Sequence, residues 1–154
     1  MTQSPDYAVY LGAQGFAHAA WVGAFYPDDL PEDWRFAYYA SQFRAVFLPH
    51  PLWTLIAPTQ WQAWVQDCQP TFRFVLEAGP AGGEAGVIAD LLGQRLGAVA
   101  QRDDPRLLWF DAGSDLKALR LTIEQRPKPL YLFSRDADLA MLQRVATLLD
   151  LMGL

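Results

Sequence analysis

The run Leu107-Leu108-Trp109-Phe110 consists of four apolar residues and is followed at once by Asp111. A half-exposed strand alternates apolar with polar residues, so an unbroken apolar run predicts a strand that is buried on both faces. Strands of this kind occur in parallel sheets, whose connecting helices cover the sheet. A second short apolar run, Ala45–Leu48, ends at Pro49. The two runs together predict an α/β protein that is built around a parallel sheet.

Outward from these two runs, strand-like segments alternate with segments of helical periodicity. The predicted strands cover residues 7–11, 45–48, 71–77, 107–110 and 129–133. The first three predicted helices cover residues 31–43, 59–68 and about 85–99. Ser114 is predicted to cap a fourth helix, and a last helix begins at a cap from Asp136 or Asp138 and ends at Gly153. Alternation of this kind predicts about five βα units with right-handed crossovers. Residues 1–154 are therefore predicted to form a single α/β domain, with a glycine-rich loop at 79–86.

Composition and charge narrow the class of protein. Of the 154 residues, 52% are hydrophobic and 19% are charged, which is typical of a folded chain with a core. The net charge is −5 and the basic residues are scattered, which argues against binding to nucleic acid or to an anionic membrane. No apolar run approaches the roughly 20 residues of a membrane span. The single cysteine, Cys68, and a first segment without a signal-peptide pattern predict a cytoplasmic protein.

Two stretches carry a resemblance to a known family. The first reads Gly12-Ala13-Gln14-Gly15-Phe16, then His18, then Trp21-Val22-Gly23-Ala24-Phe25-Tyr26-Pro27-Asp28-Asp29-Leu30-Pro31, then Tyr38-Tyr39-Ala40-Ser41-Gln42-Phe43. It resembles the YecE-like family, a group of TIM-barrel-type proteins of unknown function. Residues 130–154 look like the closing strand and helix of that family. The resemblance implies a TIM-barrel-like fold.

The chain also departs from the family pattern, and the departures fall at strand ends. Where the family has Val-Glu-Ile-Asn, this chain has Val46-Phe47-Leu48-Pro49, and the usual lysine of the third strand aligns with Glu77. The terminal asparagine pair becomes Ser134 and Arg135. An acid, a base and amides are the groups that move protons or hold a polar substrate. Their replacement implies that the family's site is not kept here in the same form.

Length is a further departure. A closed (βα)₈ barrel takes about 250 residues, whereas this chain has room for five units. The resemblance therefore implies a truncated TIM-barrel-like fold without the middle of the barrel, with residues 85–126 only loosely comparable. Such a sheet has open edge strands, which a second copy of the chain would cover by dimerisation. The alternative is an open doubly wound sheet of flavodoxin-like order, which five units also fit.

Candidate site residues follow from the fold, because both architectures bind ligands beyond the carboxyl ends of the strands. We call this edge of the sheet the carboxyl rim. The residues predicted there are His18, Trp21, His50, Trp53, Glu77, Asp111, Arg135 and Asp136. They form a candidate ligand-binding rim for a small molecule, and Trp21 and Trp53 are the preferred aromatic contacts among them.

Three kinds of chemistry at this rim compete with purely structural roles. Two histidines with Glu77 or Asp111 have the atoms of a metal site, but their spacing matches no short ligand motif. Glu77 and Asp111 have the groups of an acid–base pair. Glycines within 79–86 have the flexibility to cradle a phosphate, yet the segment lacks the lysine of a P-loop. The sequence therefore predicts no metal and no cofactor, and favours a non-catalytic binding or interaction domain over a small enzyme.

Overall fold

The structure is a computed structural model that describes residues 7–80 and 86–154. Its strands are β1 Val9–Gln14, β2 Ala45–Leu48, β3 Arg73–Glu77, β4 Leu96–Ala100, β5 Leu107–Phe110 and β6 Leu130–Ser134. Its helices are α1 Arg35–Gln42, α2 His50–Trp53, α3 Pro58–Asp67, α4 Gly86–Leu92, α5 Leu116–Gln125 and α6 Leu139–Met152. Short 3₁₀ turns precede α1 and follow α4. Within the described part of the chain, no helix is both long and apolar enough to cross a bilayer.

The strands form one sheet in the order β4-β3-β2-β1-β6-β5, and every neighbouring pair is parallel. In a closed β/α barrel each strand lies beside the next in sequence, and the last strand pairs with the first. Here β1 to β4 follow one another and β6 pairs with β1, so the opening lies between β4 and β5. The sheet is a curled half-barrel, which confirms the predicted truncated TIM-barrel-like fold. The flavodoxin-like order of the alternative is not the order found.

The two faces of the sheet have different partners. One set of alternate residues, such as Val46 and Leu48 of β2, packs on the helices outside the sheet. The other set faces the concave side and makes a second core from strand residues alone, with the buried rings of Tyr10, Phe47, Tyr131 and Phe133. The concave side of the half-barrel is therefore filled by its own aromatic side chains rather than by a helix layer.

The curl of the sheet brings β6 across to β4. A Cβ atom built on Gly97 of β4 would lie 2.7 Å from the hydroxyl oxygen of Tyr131 on β6. These two strands are not neighbours in the sheet, so the contact runs through the interior. Gly97 therefore leaves room for a ring that joins opposite walls of the half-barrel.

The prediction of a helix over residues 85–99 was wrong in its second half. α4 ends at Leu92, Gly93 adopts a positive φ of 57°, and Leu96–Ala100 is the strand β4. The sheet consequently has six strands where five were predicted. Leucine, alanine and valine fit a short helix as well as a strand, and pairing with the edge of β3 decides between them. Residues 81–85, most of the predicted glycine-rich loop, lie outside the described residues.

Helix ends were predicted with mixed success. Asp138 caps α6, since its carboxylate accepts the Met141 N–H at 2.9 Å, and Gly153 ends the helix in the left-handed conformation. The cap of α5 is Asp115, not Ser114. The Ser114 hydroxyl instead accepts the backbone N–H of Asp111 at 3.0 Å, inside the turn that precedes the helix.

Tyr39 of α1 fixes the two strands that lead to the site. Its hydroxyl donates to the Ala45 carbonyl of β2 at 2.6 Å and accepts the Ala13 N–H of β1 at 2.8 Å. Gly12 makes this possible, because a Cβ atom there would lie 1.8 Å from the Ala45 oxygen and 2.8 Å from the Tyr39 hydroxyl. The tyrosine within the family-like segment thus acts as a bridge between β1 and β2.

Candidate functional site

The connection from β4 to β5 crosses the open side of the half-barrel. Both strands run in the same direction in the sheet, so residues 101–106 lead from the carboxyl end of β4 to the amino end of β5. They do so without a helix. The Asp104 carboxylate accepts the Arg106 N–H at 2.8 Å and also pairs with its guanidinium, which closes a turn before β5. This short crossing places Arg102, just past the end of β4, at the carboxyl rim.

Arg102 joins four strands of the sheet at the rim. Its Nε donates to Glu77 Oε2 at 2.9 Å and its Nη1 donates to Gln14 Oε1 at 2.6 Å. Its guanidinium carbon lies 5.0 Å from the ring centre of Phe47 and 5.5 Å from that of Trp109. We call these five residues the Arg102 cluster. The cluster closes the carboxyl end of the concave side, where barrels of this type present their ligand sites.

Glu77 is held from two sides. Its second carboxylate oxygen, Oε1, accepts the backbone N–H of His50 at 2.9 Å, at the start of α2. Its carbonyl oxygen accepts the indole N–H of Trp53 at 2.9 Å. Because both carboxylate oxygens already accept hydrogen bonds, Glu77 is oriented as an acceptor for a cation.

A second polar group lies at the ends of β5 and β6. Arg135 Nη1 lies 3.4 Å from Asp111 Oδ2, and Asp111 Oδ1 accepts the Gly113 N–H at 2.9 Å. Asp136 accepts backbone N–H groups from Ala112 at 3.0 Å and Asp138 at 3.2 Å. Partial burial raises the pKa of Asp136, but these hydrogen bonds outweigh it and hold the pKa below its usual value. This group ties the β5–α5 and β6–α6 loops together.

The eight predicted rim residues therefore do not converge in one place. Glu77 and His50 meet beside Arg102, whereas Asp111, Arg135 and Asp136 form the second group. The two carboxylates considered for acid–base work, Glu77 and Asp111, are each paired with a different arginine. Among the described residues, no three His, Cys, Asp or Glu side chains are grouped as metal ligands.

The two tryptophans that were preferred as ligand contacts are parts of the core. Trp21 and Trp53 are each only 1% exposed. The indole N–H of Trp21 donates to the Ala137 carbonyl at 2.8 Å, which ties the loop after β1 to the loop after β6. His18 lies against Trp21 with ring centres 4.5 Å apart, and its Nε2 is 2.8 Å from the Gln14 carbonyl oxygen.

An apolar groove of about 400 Å³ lies beside the Arg102 cluster at the rim. Side chains from the loop after β1, from the region of α2 and from α3 line it. They include Phe16, His18, Pro49, Leu52, Ile56 and Trp64. Gln14 belongs both to this groove and to the Arg102 cluster.

Arg102 and Gln14 were not among the residues predicted from the sequence. Residues 85–99 were interpreted as helix, so nothing marked Arg102 as the residue that follows a strand. Gln14 lies beyond the predicted end of the first strand at residue 11, whereas β1 extends to Gln14. A correct assignment of β4 is the signal that would have identified Arg102.

The comparison with family models agrees with the resemblance in the sequence. The family model described as "Protein of unknown function DUF72" matches residues 10–81, slightly less than half of the chain, and the YecE-like family is this same family. A crystal structure of a DUF72 family protein from Thermotoga maritima MSB8 is similar at 20% identity with a TM-score of 0.46. The similarity covers 84% of this chain and 55% of that one, so this chain spans little more than half of that protein's length. No curated protein matches the chain. Residues 10–81 therefore carry a DUF72-type sequence, from a family whose function is unknown.

Proposed function

We propose that this chain is a shortened and divergent DUF72-type protein that works as a binding domain and does not catalyse a reaction. The observation that carries the proposal is the Arg102 cluster. An arginine of the chain itself occupies the place at the carboxyl rim where a barrel enzyme presents its reacting groups. Glu77, the carboxylate at this place, has both oxygens engaged by donors of the chain.

The residues that depart from the family pattern support the proposal, because they serve packing and ion pairs. Phe47 stands where the resemblance has an acid, and it is fully buried between Trp109 and Phe133. Ser134 is also fully buried, and its hydroxyl accepts the Ala137 N–H at 3.0 Å. Neither residue supplies a free acid or base at the rim.

The experiment is a ligand screen with two readouts on the same samples. A thermal-shift assay finds small polar molecules that stabilise the chain, since a ligand of the native state raises stability by mass action. Mass spectrometry then measures whether those molecules are converted. Stabilisation without conversion is expected. Turnover that Glu77→Gln or Asp111→Asn abolishes, while each variant keeps the wild-type melting temperature, contradicts the proposal.

A second candidate function is a small enzyme or small-molecule binder that uses the apolar groove at the rim. The groove favours it, because about 400 Å³ falls within the size range of small-molecule pockets and its lining is mainly apolar. Leu52→Arg introduces a charge into the groove at a side chain that is 47% exposed, so folding should tolerate the change. If this function holds, ligands from the screen lose affinity in Leu52→Arg. Leu55→Arg, which changes a side chain that is 84% exposed and is not part of the groove lining, is the matched control.

A homodimer that covers the strand edges is the third element of the proposal. Among the described strands, β4 and β5 each have one neighbour in the sheet, and exposed strand edges tend to pair with other chains. Sedimentation over a wide range of protein concentration tests it. A dimer is expected at high concentration, and a monomer throughout the range contradicts this element without affecting the binding proposal.

A further inference from the structure

The groups around Arg102 have the composition of a site that recognises a guanidinium. A carboxylate oxygen of Glu77 faces Nε, an amide oxygen of Gln14 faces Nη1, and two aromatic rings lie within 5.5 Å of the guanidinium carbon. Carboxylates bind guanidinium groups through charge-assisted hydrogen bonds, and aromatic faces attract cations through their quadrupoles. The four surrounding residues thus form a cage for a planar cation.

The walls of this cage belong to the scaffold rather than to Arg102. Gln14 ends β1, Phe47 lies in β2, Glu77 ends β3 and Trp109 lies in β5. Glu77 is oriented by the His50 N–H, and the Phe47 ring packs on Trp109 with centres 4.9 Å apart. These contacts do not involve the Arg102 side chain, so the cage keeps its shape when that side chain leaves.

Arg102, whose side chain occupies the cage, belongs to the connection between β4 and β5. The Arg102 carbonyl accepts the indole N–H of Trp109 at 2.8 Å, which holds the backbone independently of the side chain. The Arg102 side chain is 43% exposed and that of Glu77 19%, so solvent reaches both partners of the ion pair. A partly exposed ion pair is a weak contact. A competing cation can therefore take its place while the connection stays where it is.

We propose that the carboxyl rim holds a binding site for small alkylguanidinium compounds and that Arg102 occupies it as a built-in competitor. This inference rests on the proposed binding function and names the chemical class of its ligand. The net charge of −5 favours the approach of cations in general. Because the ligand must displace Arg102, its apparent affinity for the wild type is its intrinsic affinity multiplied by the fraction of molecules in which the cage is open.

The experiment titrates methylguanidinium chloride into three variants and the wild type at constant ionic strength, with thermal shift and tryptophan fluorescence as readouts. Arg102→Ala is expected to show saturable stabilisation, with a midpoint several-fold lower than that of the wild type. Arg120→Ala is the matched control, since it removes an exposed arginine that is ion-paired with Glu124 on α5 and should behave like the wild type. The double variant Arg102→Ala/Glu77→Gln should lose the saturable response.

Two results overturn the inference. One is a response of Arg102→Ala no different from that of Arg120→Ala, and the other is a response that survives in the double variant. If Arg102→Ala does not fold, the wild type still decides by NMR, because methylguanidinium must shift the Arg102 Nε–H resonance saturably as the side chain is displaced. A resonance that does not move up to the highest methylguanidinium concentration of the titration overturns the inference. Stabilisation by other molecules in the ligand screen would then leave the proposed binding function intact.

Discussion

The bridge that Tyr39 makes between β1 and β2 can be tested by removing one oxygen atom. Tyr39→Phe keeps the buried ring but deletes the hydroxyl that donates to Ala45 and accepts from Ala13. Without the hydroxyl, the Ala13 N–H and the Ala45 carbonyl oxygen both lose the partner that they share in the wild type. Each buried backbone group without a partner costs about 1–3 kcal/mol. Because the variant no longer buries a polar hydroxyl, which offsets part of this cost, we expect a loss of roughly 2–4 kcal/mol in the free energy of unfolding.

Urea denaturation of the wild type and the variant measures this difference directly. In a thermal melt the same loss corresponds to a decrease of roughly 4–16 °C for a chain of this size. Tyr38→Phe is the matched control, because Tyr38 is the preceding residue of α1 and its ring packs on Phe25 and Tyr26. A change below about 0.5 kcal/mol is expected for it. If Tyr39→Phe is no more destabilising than Tyr38→Phe, the hydroxyl does not hold the strands together and the argument fails.

Three further predictions concern the frame of the site. Gly12→Ala should lower the free energy of unfolding by about 3 kcal/mol in urea denaturation, because the new methyl group would overlap the Ala45 carbonyl. Gly86→Ala meets none of the described residues within 4 Å and should be close to neutral. Asp138→Ala should lower the free energy of unfolding by about 1 kcal/mol, because it removes the α6 cap. Asp138→Asn, which keeps a capping oxygen, should be nearly as stable as the wild type; equal losses in both variants would rule out capping. The pKa of Asp136 is lowered in the folded state, so its contribution to stability is present above the unfolded pKa of about 3.9 and is lost as the pH falls through the folded pKa. Asp136→Asn should therefore be less stable than the wild type at neutral pH and should match it in strong acid; a gap that persists unchanged at low pH would contradict this.

Local patterns were sufficient for much of the secondary structure. Ala45–Leu48 and Leu107–Phe110 are strands with the predicted bounds, because a run of four apolar residues has few other ways to bury its side chains. α3 begins one residue earlier than predicted and ends one residue earlier. Asp138 and Gly153 mark the ends of α6 through side-chain and backbone preferences that act within one turn.

The position of the opening in the sheet and the identity of the cluster at its rim depended on contacts that no local pattern contains. Leu96–Ala100 became a strand because β3 offered backbone partners to residues that also suit a helix. Once β4 formed, the short crossing to β5 carried Arg102 to Glu77, 25 positions earlier in the chain, and to Gln14, 88 positions earlier. Composition and periodicity express the preferences of a residue among its neighbours in sequence. These preferences were enough to determine an α/β chain with a parallel sheet and the ends of several elements. Only the curl of the sheet, which brings four strands around one guanidinium, decided which residues meet at the rim.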